Sequence, residues 1–170
     1  MSKPHTQTCP VASFLNVFGD AWTWMIVREA FYGTTRFTQF RRNTGIAKNL
    51  LSDRLGKLVD VGVLEREDVG EKGTRYAYQL TEKGRALTPM MVAMVQWSNE
   101  ELHEPGNEPI RLVERGSGRP LASLVPRAED GRELGWREIV TEAGPGADRA
   151  ARRRFAEMDS AGMKGEEMRK

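Results

Sequence analysis

Residues 36–62 have the sequence RFTQFRRNTGIAKNLLSDRLGKLVDVG. Two short helical patterns lie on either side of Gly45. In the second, apolar residues from Ile46 to Leu58 recur on one helical face, polar and basic residues lie elsewhere, and Gly62 ends the pattern. Two short helices that meet at a glycine, the second with polar and basic residues at its N-terminal end, predict a helix-turn-helix.

Two more helical patterns come before this stretch. Pro10 suits the first turn of a helix that runs to Phe18 and ends at Gly19. Asp20 is a plausible N-cap for a second helix, Ala21–Phe31, which is apolar on most sides and is predicted to be buried. Thr38 is predicted to cap the start of the third helix.

The stretch that follows predicts a β-hairpin. Residues 63–67 and 74–80 each alternate apolar and polar side chains, and a charged turn with glycines at both ends separates them. Thr81 then starts a helix that carries a broad apolar stripe as far as Leu102. The order of these elements is that of a winged helix.

Beyond Glu104, prolines and glycines break any long helix. Strand-like pieces at Ile110–Val113, Leu121–Val125 and Trp136–Val140 predict a small β appendage, followed by a helix over Ala147–Met158 and a frayed tail from Ala161. The predicted fold class is therefore α+β, a winged helix-turn-helix domain with a β-rich extension and a terminal helix. The predicted segments are a tail at 1–8, the DNA-binding and dimerisation domain at 9–104, the appendage at 105–146 and the terminal helix and tail at 147–170.

Length and charge limit the class of protein. The 170 residues carry a net charge of +2, but twelve basic and eight acidic residues lie between Arg28 and Arg85, so the positive surplus is in the first half. The longest apolar run, Met90–Val95, is far shorter than the roughly 20 residues of a membrane span. With no apolar stretch behind the N-terminus and one cysteine, we expect a cytoplasmic protein without a membrane segment.

Catalytic and metal motifs are absent from the sequence. It contains no glycine-rich phosphate loop and no Gly-x-Ser-x-Gly motif, and its two histidines are His5 and His103. His5 and Cys9 are too few to hold a metal ion. We therefore expect no enzyme activity, no cofactor and no metal site.

Blocks throughout the first hundred residues resemble the HxlR-type transcription regulators, a winged helix-turn-helix group related to the MarR regulators. The resemblance covers roughly residues 9 to 100. It rests on Cys9-Pro10-Val11, Gly19-Asp20-Ala21-Trp22, Ile26-Val27-Arg28-Glu29, residues 36–42, Gly45-Ile46, residues 50–55, residues 62–66, residues 75–81 and Gly84. It implies a homodimer, held by the first and last helices of the domain, that binds a pseudo-palindromic operator in double-stranded DNA, most commonly as a repressor.

The resemblance places the recognition helix at Ala47–Val59. Four exposed positions near its N-terminus are expected to approach base edges in the major groove: Ala47, Lys48, Asn49 and Ser52. Asn can read adenine, Lys can reach guanine and Ala can contact a thymine methyl. The residues expected to contact phosphates or to pack are Arg36, Arg41, Arg42 and Arg54. Two residues of the hairpin, Lys72 and Arg75, are expected to reach the flanking minor groove or backbone. Each cation taken singly could equally be a solvated surface charge.

Two kinds of signal remain open. In relatives of this family a cysteine at the place of Cys9 is often a redox or electrophile sensor. The position favours this role, because a helix N-terminus stabilises a thiolate. The alternative is an inert thiol that is retained for packing. The alternative signal is a small apolar effector. Its pocket would be lined by the aromatic and methionine residues Trp22, Trp24, Phe31, Met90, Met94 and Trp97. Such residues at helical spacing are more often core or dimer seam.

The extension faintly resembles one found in longer family members, where Cys-Gly pairs suggest a zinc ribbon. Ser117-Gly118 and Asp130-Gly131 stand in those places, so we expect no structural zinc. The leading hypothesis is a signal-responsive, dimeric DNA-binding regulator. The alternative is a winged-helix module that binds a protein partner instead of DNA, since a fold does not fix a function.

Overall fold

The computed structural model describes residues 5–70 and 75–167, with side chains as far as Met158. The elements in chain order are α1 (Pro10–Phe18), α2 (Ala21–Phe31), α3 (Phe37–Thr44), α4 (Lys48–Asp60), β1 (Leu64–Asp68), β2 (Tyr76–Leu80), α5 (Glu82–Arg85), α6 (Thr88–Leu102), a short 3-10 turn (Trp136–Glu138) and α7 (Arg149–Glu167). The chain divides into two units. One comprises residues 14–124, and the other combines the described residues up to Ser13 with those from Val125 onward.

The ends of α2 and α3 follow the local sequence signals. Asp20 caps α2 by accepting a hydrogen bond from the Thr23 backbone N–H at 3.1 Å. Gly45 ends α3 in the left-handed conformation, with φ of 74°. Helix α3 begins at Phe37, so the prediction that Thr38 caps it is wrong. Arg36 is the N-cap instead, and its backbone N–H donates to the Gln39 side chain at 3.1 Å.

One face of α4 closes the core of the helix-turn-helix. Leu51, Leu55 and Leu58 are fully buried. The other buried side chains of the core cluster are Phe18, Ile26, Val27, Phe40, Ile46, Val63, Leu64 and Tyr78. The predicted recognition helix is thus confirmed as a helix, displaced by one residue at each end, with Ala47 as its N-cap.

The hairpin is attached to the start of α3. Strands β1 and β2 pair antiparallel, from Leu64 opposite Leu80 to Asp68 opposite Tyr76. A bridge joins Arg36 to Ala77, and the Tyr78 backbone N–H donates to the Thr35 carbonyl at 2.8 Å. These bonds fix the wing beside the helix-turn-helix. The winged-helix order predicted from the sequence is confirmed.

The helix predicted to run without interruption from Thr81 to Leu102 is divided into α5 and α6, which corrects that expectation. Pro89 has no N–H to donate to the Arg85 carbonyl, so the α-helical hydrogen-bond pattern cannot continue through it. The Thr88 hydroxyl donates to that carbonyl instead, at 2.6 Å. The break therefore has a local cause, and Pro89 lies in the first turn of α6.

The extension contains less strand than the sequence predicts. Within the described residues from 105 onward, β structure consists of two isolated bridges, Val113 with Pro120 and Arg127 with Glu133. Residues 136–138 form a 3-10 turn, so the strand predicted at Trp136–Val140 is wrong. Side chains of α6 use backbone groups that a longer ladder would need, since Gln96 bonds to both Ala122 and Leu124 and Asn99 bonds to Ile110, each at 2.8 Å.

The last helix is longer than predicted and continues to Glu167, into the stretch expected to be a frayed tail. Asp148 caps it, accepting a hydrogen bond from the Ala151 N–H at 2.8 Å. Alanine, methionine, lysine and glutamate are good helix formers and continue it past residue 158. Among the described residues, no helix combines the length and apolarity that a membrane span requires.

Two basic side chains tie α4 to the helices before it. The Nε of Arg54 lies 3.1 Å from the Asp20 carboxylate, which also accepts the Thr23 hydroxyl at 2.6 Å. The Lys57 Nζ donates to the carbonyls of Asn16 and Val17 in the last turn of α1, both at 2.8 Å. A cation at a helix C-terminus satisfies carbonyls that have no partner within the helix. Helix α4 is therefore positioned by charge as well as by its leucines.

Gly84 lies where the wing meets α5 and has no room for a side chain. A Cβ there would overlap the Val63 carbonyl oxygen and come within 2.9 Å of a Leu80 methyl carbon. Gly84→Ala is expected to lower the free energy of unfolding by about 1–3 kcal/mol, measured by urea denaturation. Gly56→Ala, in α4, has open space around the new methyl and should raise it by about 0.5–1 kcal/mol. Equal effects of the two substitutions would contradict the close packing at Gly84.

The Asp20–Arg54 pair predicts a pH dependence of stability. Partial burial alone would raise the pKa of Asp20, but hydrogen bonds from Thr23 and Arg54 hold that pKa below its usual 3.8. The stabilisation by this carboxylate is therefore present above pH 3.8 and is lost as the pH falls through the folded-state value.

Asp20→Asn keeps a capping side chain but removes the charge. The difference in unfolding free energy between the wild type and this variant should shrink as the pH is lowered from 6 to about 2, the range over which a carboxylate of lowered pKa is protonated. Urea unfolding at each pH measures it. Asp53→Asn, which alters a carboxylate that is 61% exposed, is the matched control. A difference for Asp20→Asn that does not depend on pH would contradict the interpretation.

Candidate functional site

The four predicted base-reading positions come together on the exposed side of α4. Ala47, Lys48, Asn49 and Ser52 are all exposed at its N-terminal end. Residues three and four apart are neighbours on a helix, so 48, 49 and 52 share one surface. The opposite face is held by the buried leucines. This arrangement presents a side-chain ammonium, an amide and a hydroxyl to solvent within two turns of helix.

The three predicted arginines of α3 and its N-cap are also exposed. Arg36 precedes the first turn of α3, and Arg41 and Arg42 lie in its last turn. The Arg42 Nε donates to the Asn43 side chain at 3.3 Å. Arg41 and Arg42 complement the negative end of the helix dipole. The exposure of all three arginines leaves them accessible to phosphate groups.

Arg54 has a different environment from the other predicted cations. Its side chain is 18% exposed and is paired with Asp20 and, at 3.6 Å, with Asp53. It thus acts as a support of α4 in this structure. Lys57, which the sequence reasoning did not single out, has a similar role through the carbonyls of α1. The sequence feature that could have indicated this role is the position of Lys57 three residues after Arg54, which places both cations on the same side of α4.

The described part of the wing carries two exposed arginines. Arg75 lies just before β2, and its backbone N–H donates to the side chain of Asp68, the last residue of β1, at 3.2 Å. Lys72 lies outside the described residues. Arg66 on β1 was not predicted as a site residue, and its guanidinium carbon is 4.2 Å from the centre of the exposed Tyr76 ring.

Cys9 immediately precedes α1. The residue is half-buried, and its carbonyl accepts a hydrogen bond from the Ser13 N–H at 2.9 Å, which closes the first turn of the helix. The thiol is therefore at the N-terminal end of α1, the place that the sequence predicts. Across the residues that the structure describes, no three histidine, cysteine or carboxylate side chains are grouped as a metal ion would require.

An apolar cleft of about 200 Å³ lies between α2 and α6. Of the six residues predicted to line an effector pocket, Trp24 and Met94 line it. Trp22, Met90 and Trp97 are exposed, and Phe31 packs against the core. Residues that the sequence reasoning missed complete the walls, among them Met25, Arg28, Tyr32, Val95 and His103.

A buried carboxylate connects the cleft with the helix-turn-helix. Glu29 is 5% exposed and accepts hydrogen bonds from Arg28 at 2.7 Å, from the Thr34 hydroxyl at 3.0 Å and from the Asn43 amide at 2.7 Å. Burial alone would raise the pKa of Glu29, but the bonds from Asn43, Arg28 and Thr34 outweigh it and lower that pKa. Glu29 therefore remains charged and links Arg28 at the cleft to Asn43 in α3.

Comparison with known proteins shows which family the helix-turn-helix region resembles. The family model described as HxlR-like helix-turn-helix matches residues 17–105, which run from the last two residues of α1 through α6. An uncharacterized HTH-type transcriptional regulator of Mycobacterium tuberculosis is 38% identical over 136 residues, which cover 80% of this chain and 86% of that protein.

Solved structures agree with this match. PA1607, assigned as a transcription factor, is 43% identical, has a TM-score of 0.75, and is matched over 82% of this chain and 97% of its own. The redox regulator HypR in its reduced form is 31% identical, with a TM-score of 0.51 over 55% of this chain and 96% of its own. The chain belongs to the HxlR-like helix-turn-helix family of transcription regulators.

Proposed function

We propose that this protein is a homodimeric, sequence-specific DNA-binding repressor whose residues 9–104 form the DNA-binding and dimerisation domain. The observation that carries the proposal is the exposed group Lys48, Asn49 and Ser52 on α4, held outward by the buried leucines of the opposite face. The N-terminal residues of a recognition helix contact base edges in the major groove. Repression is the outcome that the family resemblance favours.

The side chains of this surface suit both parts of DNA recognition. Asn49 can bond two atoms of adenine, Lys48 can donate to the guanine acceptors, and Ala47 can contact a thymine methyl. Arg41 and Arg42 are exposed for phosphate contacts, which position the protein without reading sequence. The wing residues Arg75 and Lys72 would reach the flanking backbone or minor groove.

Exposed apolar side chains on α6 support a second copy of the chain as partner. Met90, Met94 and Trp97 follow one another at helical spacing and are 41%, 43% and 59% exposed. A contiguous apolar surface of this kind marks an interaction site. A two-fold dimer would present two α4 helices to the half-sites of a pseudo-palindromic operator.

The signal that changes operator binding acts, in our proposal, either at Cys9 or through a small apolar ligand. Supporting the first are the position of the thiol at the N-terminus of α1 and the similarity to the redox regulator HypR. Supporting the second is the cleft between α2 and α6. With one cysteine in the chain, a disulfide would form with the partner subunit or with a small thiol.

Binding to DNA from the protein's own upstream region tests the assignment of α4. Fluorescence anisotropy should show specific binding that weakens steeply with salt, because phosphate contacts release counterions. Lys48→Gln and Asn49→Ala should each weaken specific binding by roughly 1–3 kcal/mol, that is about 5- to 150-fold. The matched controls Arg115→Gln and Asn107→Ala change exposed residues away from α4 and should have little effect. Binding unaffected by all four substitutions would overturn the assignment.

An oxidant added to the protein–DNA complex tests the role of Cys9. If the thiol is the sensor, diamide or a quinone should lower the DNA affinity of the wild type and leave Cys9→Ser unchanged. Non-reducing electrophoresis should then show either a disulfide-linked dimer or a small-thiol adduct by mass. DNA binding by the wild type that is indifferent to the oxidant would overturn the role of Cys9 and leave the ligand cleft as the candidate sensor.

A further inference from the structure

The cleft between α2 and α6 combines apolar walls with one cationic group. Trp24, Met91, Met94 and Val95 line it, and Arg28 lies on the same surface. Its volume of about 200 Å³ is below the roughly 300–1,000 Å³ of sites for drug-sized ligands. The volume thus suits a small molecule of one or two rings.

Arg28 has donors that the rest of the chain does not use. One terminal nitrogen donates to Glu29 at 2.7 Å and the other to the Met25 sulfur at 3.5 Å, a weak acceptor. The Nε is buried and, within the described part of the chain, has no hydrogen-bond partner. A guanidinium carries five N–H donors, and an unsatisfied buried donor is costly. A group that accepts these hydrogen bonds would remove that cost.

Glu29 does not depend on Arg28 alone. Its second carboxylate oxygen accepts from both Thr34 and Asn43. A ligand that shares the guanidinium would therefore leave Glu29 with two donors, and the buried charge would stay satisfied. Because Asn43 belongs to α3, the same bonds connect events at Arg28 with the helix-turn-helix.

We propose that this cleft binds a small aromatic compound that carries a carboxylate, with the ring against Trp24 and Met94 and the carboxylate on Arg28. This inference rests on the proposed function, for which it names the class of effector. The apolar walls account for the ring, since burial of aromatic surface supplies most of the affinity of such sites. The arginine accounts for the charge, since its fork matches the two oxygens of a carboxylate.

Isothermal calorimetry of the full-length protein with 2-naphthoate tests the proposal. The expected result is one saturable site per chain, whereas 2-naphthylmethanol, which has the same rings without the charge, should bind at least about tenfold more weakly. Arg28→Gln should weaken naphthoate binding by roughly ten- to a hundredfold and bring the acid and the alcohol close together. Arg115→Gln removes an exposed arginine outside the cleft and should bind naphthoate like the wild type.

A second variant covers the case in which Arg28→Gln fails to fold. Ser98→Phe places a ring in the cleft from α6 and should abolish binding of both compounds while circular dichroism stays unchanged. Equal affinities of the acid and the alcohol, or naphthoate binding that survives both substitutions, would overturn the proposal. So would the absence of saturable binding.

A DNA titration with and without saturating 2-naphthoate separates this inference from the proposed function. A change in DNA affinity that is lost in Arg28→Gln supports both. Naphthoate binding without any specific DNA binding keeps the ligand site and overturns the DNA-binding role. Specific DNA binding without naphthoate binding keeps the role and overturns the ligand site.

Discussion

Burial of one face of α4 is the constraint on which the rest of this structure depends. Leu51, Leu55 and Leu58 are fully enclosed, and each contributes about 1.5–3 kcal/mol by leaving water. A helix with one face fixed in a close-packed core has no freedom to turn about its axis. Lys48, Asn49 and Ser52 are therefore directed outward by the same packing that stabilises the domain, and the candidate recognition surface is preorganised in the free protein.

Charged side chains complete this positioning. Arg54 forms an ion pair with Asp20, and the Lys57 ammonium donates to carbonyls at the end of α1. These partners lie within the domain and are partly buried. The two cations hold α4 against the end of α1 and the start of α2. The wing is fixed independently, through the bridge from Arg36 to Ala77.

Glu29 gives the domain a polar connection between its two candidate ligand surfaces. A buried carboxylate is tolerated only when hydrogen bonds replace water, and here the donors come from α2, from the following loop and from α3. Arg28 belongs to this group and also lines the cleft. The network offers a physical route between the cleft and the helix-turn-helix, with donors on one side that remain available to a ligand.

The sequence alone determined the order of the elements from α1 to β2, the bounds of α1 and α2, and the outward group on α4, because hydrophobic period, capping residues and glycine stops are local properties. It also determined the family, through motifs spread over the first hundred residues. It could not determine that Arg54 pairs with Asp20, which is 34 residues away. Nor could it show that Gln96 and Asn99 would take backbone groups from the predicted strands, or that Arg28 would share a cleft with Met94. Those outcomes were decided by the tertiary structure, since they depend on which distant groups come within hydrogen-bonding distance once the core has closed.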